Sequence, residues 1–187
     1  VVRGAKALHV RTAGRQAFFV DGTTVRTPHT AELCEAYPPA LNQHRASHWP
    51  MLRMLVAHDL DTGLALRPEW DSRRVSEQQL LERLLDRLPH EAILIGDRNF
   101  GVFSVAYRAT QRTHPVVLRL QLHRAKRICP EPLRDGIDRQ ICWKPTPSEC
   151  RKHKLPVGVS VQEQLVVRQV QPSDGSPPLL LILFTTL

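Results

Sequence analysis

The amino-acid sequence predicts a mixed α/β fold, a sheet flanked by helices, and three observations lead to it. Several apolar runs are four to eight residues long and bounded by Asp, Gly or Pro, which is the length and punctuation of strands. One stretch, Leu80 to Leu88, places its leucines at the 3.6-residue period of an amphipathic helix. After it comes Ala92 to Ile95, an apolar run without alternation, as in a strand buried on both faces. Strands, a helix, a buried strand, a helix and further strands make a mixed α/β order with a three-stranded meander in front.

Gln16 to Val20 reads as a strand ending at a bend, Asp21-Gly22, and the β-branched residues from Thr23 to Thr27 continue as a second strand before Pro28. Leu33 to Pro50 holds three prolines and reads as a loop. Met51 to His58 and Leu64 to Arg67 are apolar runs separated by Asp59-Leu60-Asp61-Thr62-Gly63, so a β-hairpin is expected, with Asp59 and Asp61 as turn residues and not metal ligands. Ser76, with Gln79 three positions on, has the spacing of a capping box, and Pro89 ends the helix that follows. A second helix is expected over Val102 to Thr110 and a strand over Val116 to Leu122. Arg124 to Pro156 shows little periodicity. Val157 to Val170 reads as a strand, and Leu179 to Phe184 as a last buried one.

With 187 residues, 42% hydrophobic and 24% charged, the chain has the composition of a soluble globular protein large enough for a real core. It carries 26 Lys and Arg against 18 Asp and Glu, a net charge of +8. Between Pro115 and Lys154 basic residues outnumber acidic ones ten to four, so most of the excess belongs to one segment. A localised excess of this kind suits a phosphate-facing surface, because each Lys or Arg on a phosphate releases condensed counterions. The apolar run Leu179 to Phe184 is far below the roughly 20 residues of a membrane-spanning helix. Cys34, Cys129, Cys142 and Cys150 form no CxxC pair, and no secretion signal opens the chain, so a reduced, cytoplasmic setting is expected. Cys129, Cys142, Cys150 and His153 match no usual zinc spacing. The start at Val1 and the stop at Leu187 are expected to mark a fragment.

Two segments carry the chemistry: Phe18 to Thr24 (FFVDGTT) and Ile93 to Gly101 (ILIGDRNFG). Each sets an Asp at the end of an apolar strand, and ligands of α/β sheets gather at the carboxyl ends of strands. Taken singly, Asp21 suits an Asp-Gly turn and Asp97 a helix N-cap. Taken together they suit a divalent cation, since two close carboxylates repel unless a hard, oxygen-seeking ion lies between them.

The pair DGTT and GDRNFG, with a hairpin and a leucine-rich helix ending in LLDRLP between them, resembles the DDE transposases of the insertion-sequence-four family. The resemblance implies a ribonuclease H-like mixed sheet flanked by helices and interrupted by a β-rich insertion. It divides the chain into a first part of the catalytic core, residues 1–114, a basic insertion, 115–178, and a returning core strand, 179–187. It makes Asp21 and Asp97 the first and second catalytic acids of a site for two Mg²⁺ or Mn²⁺ ions, which cut DNA and join strands at transposon ends. The third acid of the family is a Glu in a helix with Tyr, Arg and Lys, downstream of a strand like LLLILFTTL, and is expected beyond Leu187; Glu163 stands in a strand and is not that residue. On this reading the chain alone is inactive, and its partners are double-stranded DNA and a second copy, with a nucleoid-associated location in the cytoplasm. A transposase remnant that only binds DNA, and a nuclease of the same fold, are the alternatives. Arg98, Arg124, Lys126, Arg127, Lys144, Arg151, Lys152 and Lys154 are the expected phosphate contacts, and Trp143 is either a residue that stacks on an unpaired base or a core residue of a small β-domain.

Overall fold

Patterning and turn chemistry resolve into thirteen elements in the computed structural model, which describes residues 14–39 and 48–187. In chain order they are β1 (Ala17–Arg26), α1 (Ala31–Ala36), β2 (Met51–Asp59), β3 (Ala65–Ser72), α2 (Glu77–Leu85), β4 (Ile93–Gly96), α3 (Phe103–Gln111), β5 (Val116–Arg119), α4 (Leu122–Ile128), β6 (Asp138–Trp143), α5 (Pro147–His153), β7 (Val161–Val170) and β8 (Leu179–Thr185). The strands form one eight-stranded sheet in the order β3-β2-β1-β4-β5-β8-β7-β6. Its first part is an antiparallel meander, β1 to β3, continued by β4 and β5 parallel to β1. This is the ribonuclease H-like arrangement. From β5 onward the pairing is antiparallel again, through β8, β7 and β6.

The core lies where α2 and α3 meet the centre of this sheet. Leu80, Leu81, Leu84 and Leu85 of α2 are buried, together with Phe18 and Val20 of β1, Leu94 of β4 and Phe103 and Ala106 of α3. Each leucine so enclosed stabilises the fold by roughly 1.5–3 kcal/mol relative to exposure. The expected capping box holds α2 at its start: Ser76 Oγ accepts from the Gln79 amide at 3.2 Å, and Gln79 Oε1 accepts from the Ser76 amide at 2.9 Å.

Several expectations are corrected. Asp21-Gly22 is not a bend between two strands; the β1–β2 ladder runs unbroken from Phe18 opposite Asp59 to Arg26 opposite Met51. Leu33 to Pro50 is not all loop: Thr30 Oγ1 accepts from the Leu33 amide and starts α1, while residues 40–47 of that stretch lie outside the described residues. β3 runs past Arg67 and Pro68 to Ser72, because it is an edge strand with a register shift there, the setting in which a proline and a left-handed Arg67 fit a sheet. The strand expected over Val116 to Leu122 ends at Arg119, and the aperiodic stretch holds α4, β6 and α5. β5, inside the range read as an insertion, lies in the sheet beside β4, and β6 and β7 extend that same sheet through β8. Among the described residues no helix is long and apolar enough to cross a membrane.

Candidate functional site

β1 and β4 run parallel in register, Ala17 with Ile93 through Val20 with Gly96. Asp21, within β1, and Asp97, just past the end of β4, are the next residues, so the two carboxylates follow equivalent positions of adjacent strands, whose spacing is about 4.8 Å. Both residues are exposed, at the end where the apolar part of each strand stops. One oxygen of each is held locally. Asp21 Oδ1 accepts from the Gly22 amide at 2.9 Å, and Asp97 Oδ1 from the Asn99 amide at 2.8 Å.

The loop after Asp97 is fixed from two sides. Its own backbone turns back, with the Phe100 and Gly101 amides donating to the Asp97 carbonyl at 3.1 Å. The amino end of α2 grips Asn99: Gln78 Nε2 donates to the Asn99 carbonyl at 2.9 Å, and the Asn99 amide nitrogen donates to Glu77 Oε2. From α4, Arg124 Nη1 reaches the carbonyls of Arg98 and Gly101 at 3.4 and 3.3 Å. Burial pushes the Arg124 guanidinium below its ordinary value, with Arg127 adding a smaller push the same way. Gly101 packs so close to β5 that a methyl group there would stand 2.1 Å from the Arg119 carbonyl oxygen, and one on Gly96 would stand 2.8 Å from Phe100 Cβ. Both glycines of GDRNFG are therefore required by close backbone approach.

Glu77 ties the two halves of the site together. Its carboxylate lies against Gly22, where an added Cβ would meet Glu77 Cδ at 2.4 Å, and it also receives the Asn99 side chain. Sequence patterning showed Glu77 and Gln78 only as the first turn of a capped helix. Their contacts arise when α2 docks on the β4 loop, which no local pattern encodes.

Exposed carboxylates are hard oxygen donors and fit Mg²⁺ or Mn²⁺ in kind. Among the described residues no three of His, Cys, Asp and Glu converge closely enough to hold a metal ion; Asp21 and Asp97 follow the paired ends of β1 and β4, and Glu77 is bonded to Asn99. Glu163 lies on β7, opposite Ile141 of β6 and separated from β1 by β4, β5 and β8.

The expected phosphate contacts are placed unevenly. Arg98 is exposed beside Asp97. Arg124, Arg127 and Lys152 line one cavity of 310 Å³, with Arg127 paired to Glu149 at 3.3 Å. Lys152 and Lys154 line a neighbouring one of 390 Å³. Burial, and next the charge of Lys152, push the His153 imidazole between them below its ordinary value. Lys126, Lys144 and Arg151 are exposed and line neither cavity. Trp143 is corrected: it is fully buried, edge-on to Phe103 at 5.8 Å and to Phe184 at 4.9 Å, so its ring has no open face for a base.

Residues 12–183 match a family model described as Transposase DDE domain. No curated protein matches the sequence. One similar solved structure is described as "Cryo-EM structure of piggyBac transposase synaptic complex with hairpin DNA (SNHP)", with a TM-score of 0.49 and 10% sequence identity. The likeness covers 91% of this chain and 33% of that one, so this chain spans about a third of that protein's length.

Proposed function

The chain belongs to the transposase DDE domain family, and from that premise we propose that Asp21 and Asp97 are the first two metal-binding acids of a catalytic domain that cuts DNA and transfers its strands. The observation that carries this reading is the register: the two aspartates follow directly on the Val20–Gly96 pair of parallel β1 and β4. Within the family, the contexts DGTT and GDRNFG favour the insertion-sequence-four type.

A pair of Mg²⁺ or Mn²⁺ ions, when bound, activates an attacking oxygen and stabilises the leaving one in an in-line phosphoryl displacement. The chain's own residues hold and orient. Asp21 and Asp97 present the free oxygen of each carboxylate, while the Gly22 and Asn99 amides fix the other. Glu77, Gln78 and Arg124 fix the loop that carries Asp97. A third acid, a Glu downstream of β8, completes the set in this reading, and the basic segment of residues 115–178, whose β5 pairs with β4 in the core sheet, lies on the DNA side. Arg98, Arg124, Lys126, Arg127, Lys144, Arg151, Lys152 and Lys154 supply the positive surface, duplex DNA with transposon ends and target is the substrate, and two copies act together on it.

Calorimetry with Mn²⁺ tests the reading on this chain and on Asp21→Asn and Asp97→Asn. Weak binding that either substitution removes is expected, and in a protein extended through the third acid each substitution should abolish cleavage while leaving DNA affinity nearly unchanged. Binding that survives both substitutions would make the carboxylates structural. End-specific strand joining, as opposed to cutting alone, separates a transposase from a nuclease.

A further inference from the structure

Beside the two aspartates lies a cavity of 310 Å³ lined by Arg53, Ser76, Glu77, Gln78, Asn99 and Lys152. Its two cations come from remote parts of the chain, Arg53 from the middle of β2 and Lys152 from α5. In sequence Arg53 interrupts the apolar run from Met51 to Ala57, where an arginine needs a reason. Its Nη1 donates to the Val75 carbonyl at 2.8 Å, and its buried Nε has no hydrogen-bond partner. Asp71, the residue opposite Arg53 on β3, is taken by Arg83 at 2.8 Å. Among the described residues neither Arg53 nor Lys152 forms a salt bridge. The one acid in the wall, Glu77, is occupied by Asn99.

Two cations against the single carboxylate of Glu77 leave this lining with an excess of positive charge, and an anion between the cations offsets it. The cavity shares Asn99 with the loop that carries Asp97, and Glu77 with the contact on Gly22 beside Asp21. An anion here is thus next to the metal-binding pair. Lys152 also lines the two further cavities that hold Arg124 and Arg127 on one side and Lys154 on the other, so the positive lining continues away from the aspartates. A polyanionic chain fits this course where a single small anion would leave most of it unused.

We infer that Arg53 and Lys152 form a phosphodiester clamp for the DNA strand next to the linkage that lies at Asp21 and Asp97. The inference rests on the catalytic reading for the identity of the strand. Ser76 and Gln78, at the amino end of α2, line the floor of the clamp, and its two cationic walls come from β2 and α5.

The test is fluorescence anisotropy of a labelled DNA duplex in EDTA across a salt series, with this chain, Arg53→Gln, Lys152→Gln and the double variant. Arg134→Gln, a cation of equal charge in a different cavity, is the control, and an RNA duplex of the same sequence is the second probe. Each single substitution should weaken DNA binding and lower the slope of log K against log salt by about 0.9, and the double variant by about twice that. A slope equal to that of the unsubstituted chain, a loss matched by Arg134→Gln, or a loss confined to RNA overturns the clamp. Arg53→Gln also loses the bond to Val75, so thermal melting accompanies it; if that variant unfolds, Lys152→Gln, on an exposed helix position, decides alone. Mn²⁺ calorimetry on the aspartate variants separates the two readings. Metal bound at the aspartates with unchanged salt slopes removes the clamp only. Reduced slopes with Mn²⁺ binding indifferent to Asp21 and Asp97 keep the clamp and remove the catalytic reading.

Discussion

Gly101 shows how a single residue sets the geometry of the candidate site. Its Cα faces the Arg119 carbonyl of β5 so closely that Gly101→Ala must push main chain against main chain. Overpacking of this kind costs about 1–3 kcal/mol and more where backbone has to move. Chemical denaturation should show that loss, with Gly22→Ala much milder because the group it displaces is the flexible Glu77 carboxylate. An equal, small effect at both positions would contradict the packing. At this scale the sequence was informative where a motif spans consecutive residues: DGTT and GDRNFG singled out Asp21 and Asp97, and the structure sets both directly after the paired residues Val20 and Gly96. It was silent on Glu77, Gln78 and Arg53, whose roles arise from contacts between distant elements. Of the two readings of Trp143, stacking on a base and packing in a core, the structure supports the second, which the alternation along β6, inward for Ile141 and Trp143, also signals.

Among the elements, α2 was legible to its cap because propensity, period and capping box agree. α1 and α5 were not, since neither buries a residue and so neither shows an apolar stripe. The start of α5 was nonetheless written locally: Thr146 and Glu149 form a second capping box around Pro147. α4 buries only Ala125 and reads in sequence as a basic continuation of the preceding strand. The cap of α2 matters beyond its own stability, because Glu77 and Gln78 are the residues that hold Asn99. Ser76→Ala should cost about 0.5–2 kcal/mol. Hydrogen exchange should then quicken at Asn99 and Phe100 as well as in the first turn of α2, and Ser76→Asp should restore both. Faster exchange confined to the helix would show that the loop after Asp97 stands without it.

Across the whole molecule, neighbours in the sheet are not neighbours in the chain at two places, β1 beside β4 and β5 beside β8, and the second has the larger consequence. β8, residues 179–185, lies between β5 and β7 and, among the described residues, is the strand that joins the core sheet to the antiparallel β6–β7 pair. The mixed α/β class could be read from short runs, and the resemblance implied the ribonuclease H-like core and a returning strand at 179–187; that this strand would pair with β5 on one side and β7 on the other could not be read, since strand pairing between remote segments leaves no local trace. It has a consequence during synthesis. Until residue 185 leaves the ribosome, β5 and β7 each present an open edge of unpaired amides and carbonyls, the kind of surface that recruits foreign strands. Nascent chains stalled before residue 179 should keep residues 138–170 sensitive to protease, and those stalled once β8 has emerged should protect them. Protection at the shorter lengths would show that the β6–β7 pair docks without its connecting strand; otherwise translation itself schedules the closure of the sheet, and the vulnerable interval runs from the emergence of β5 to that of β8.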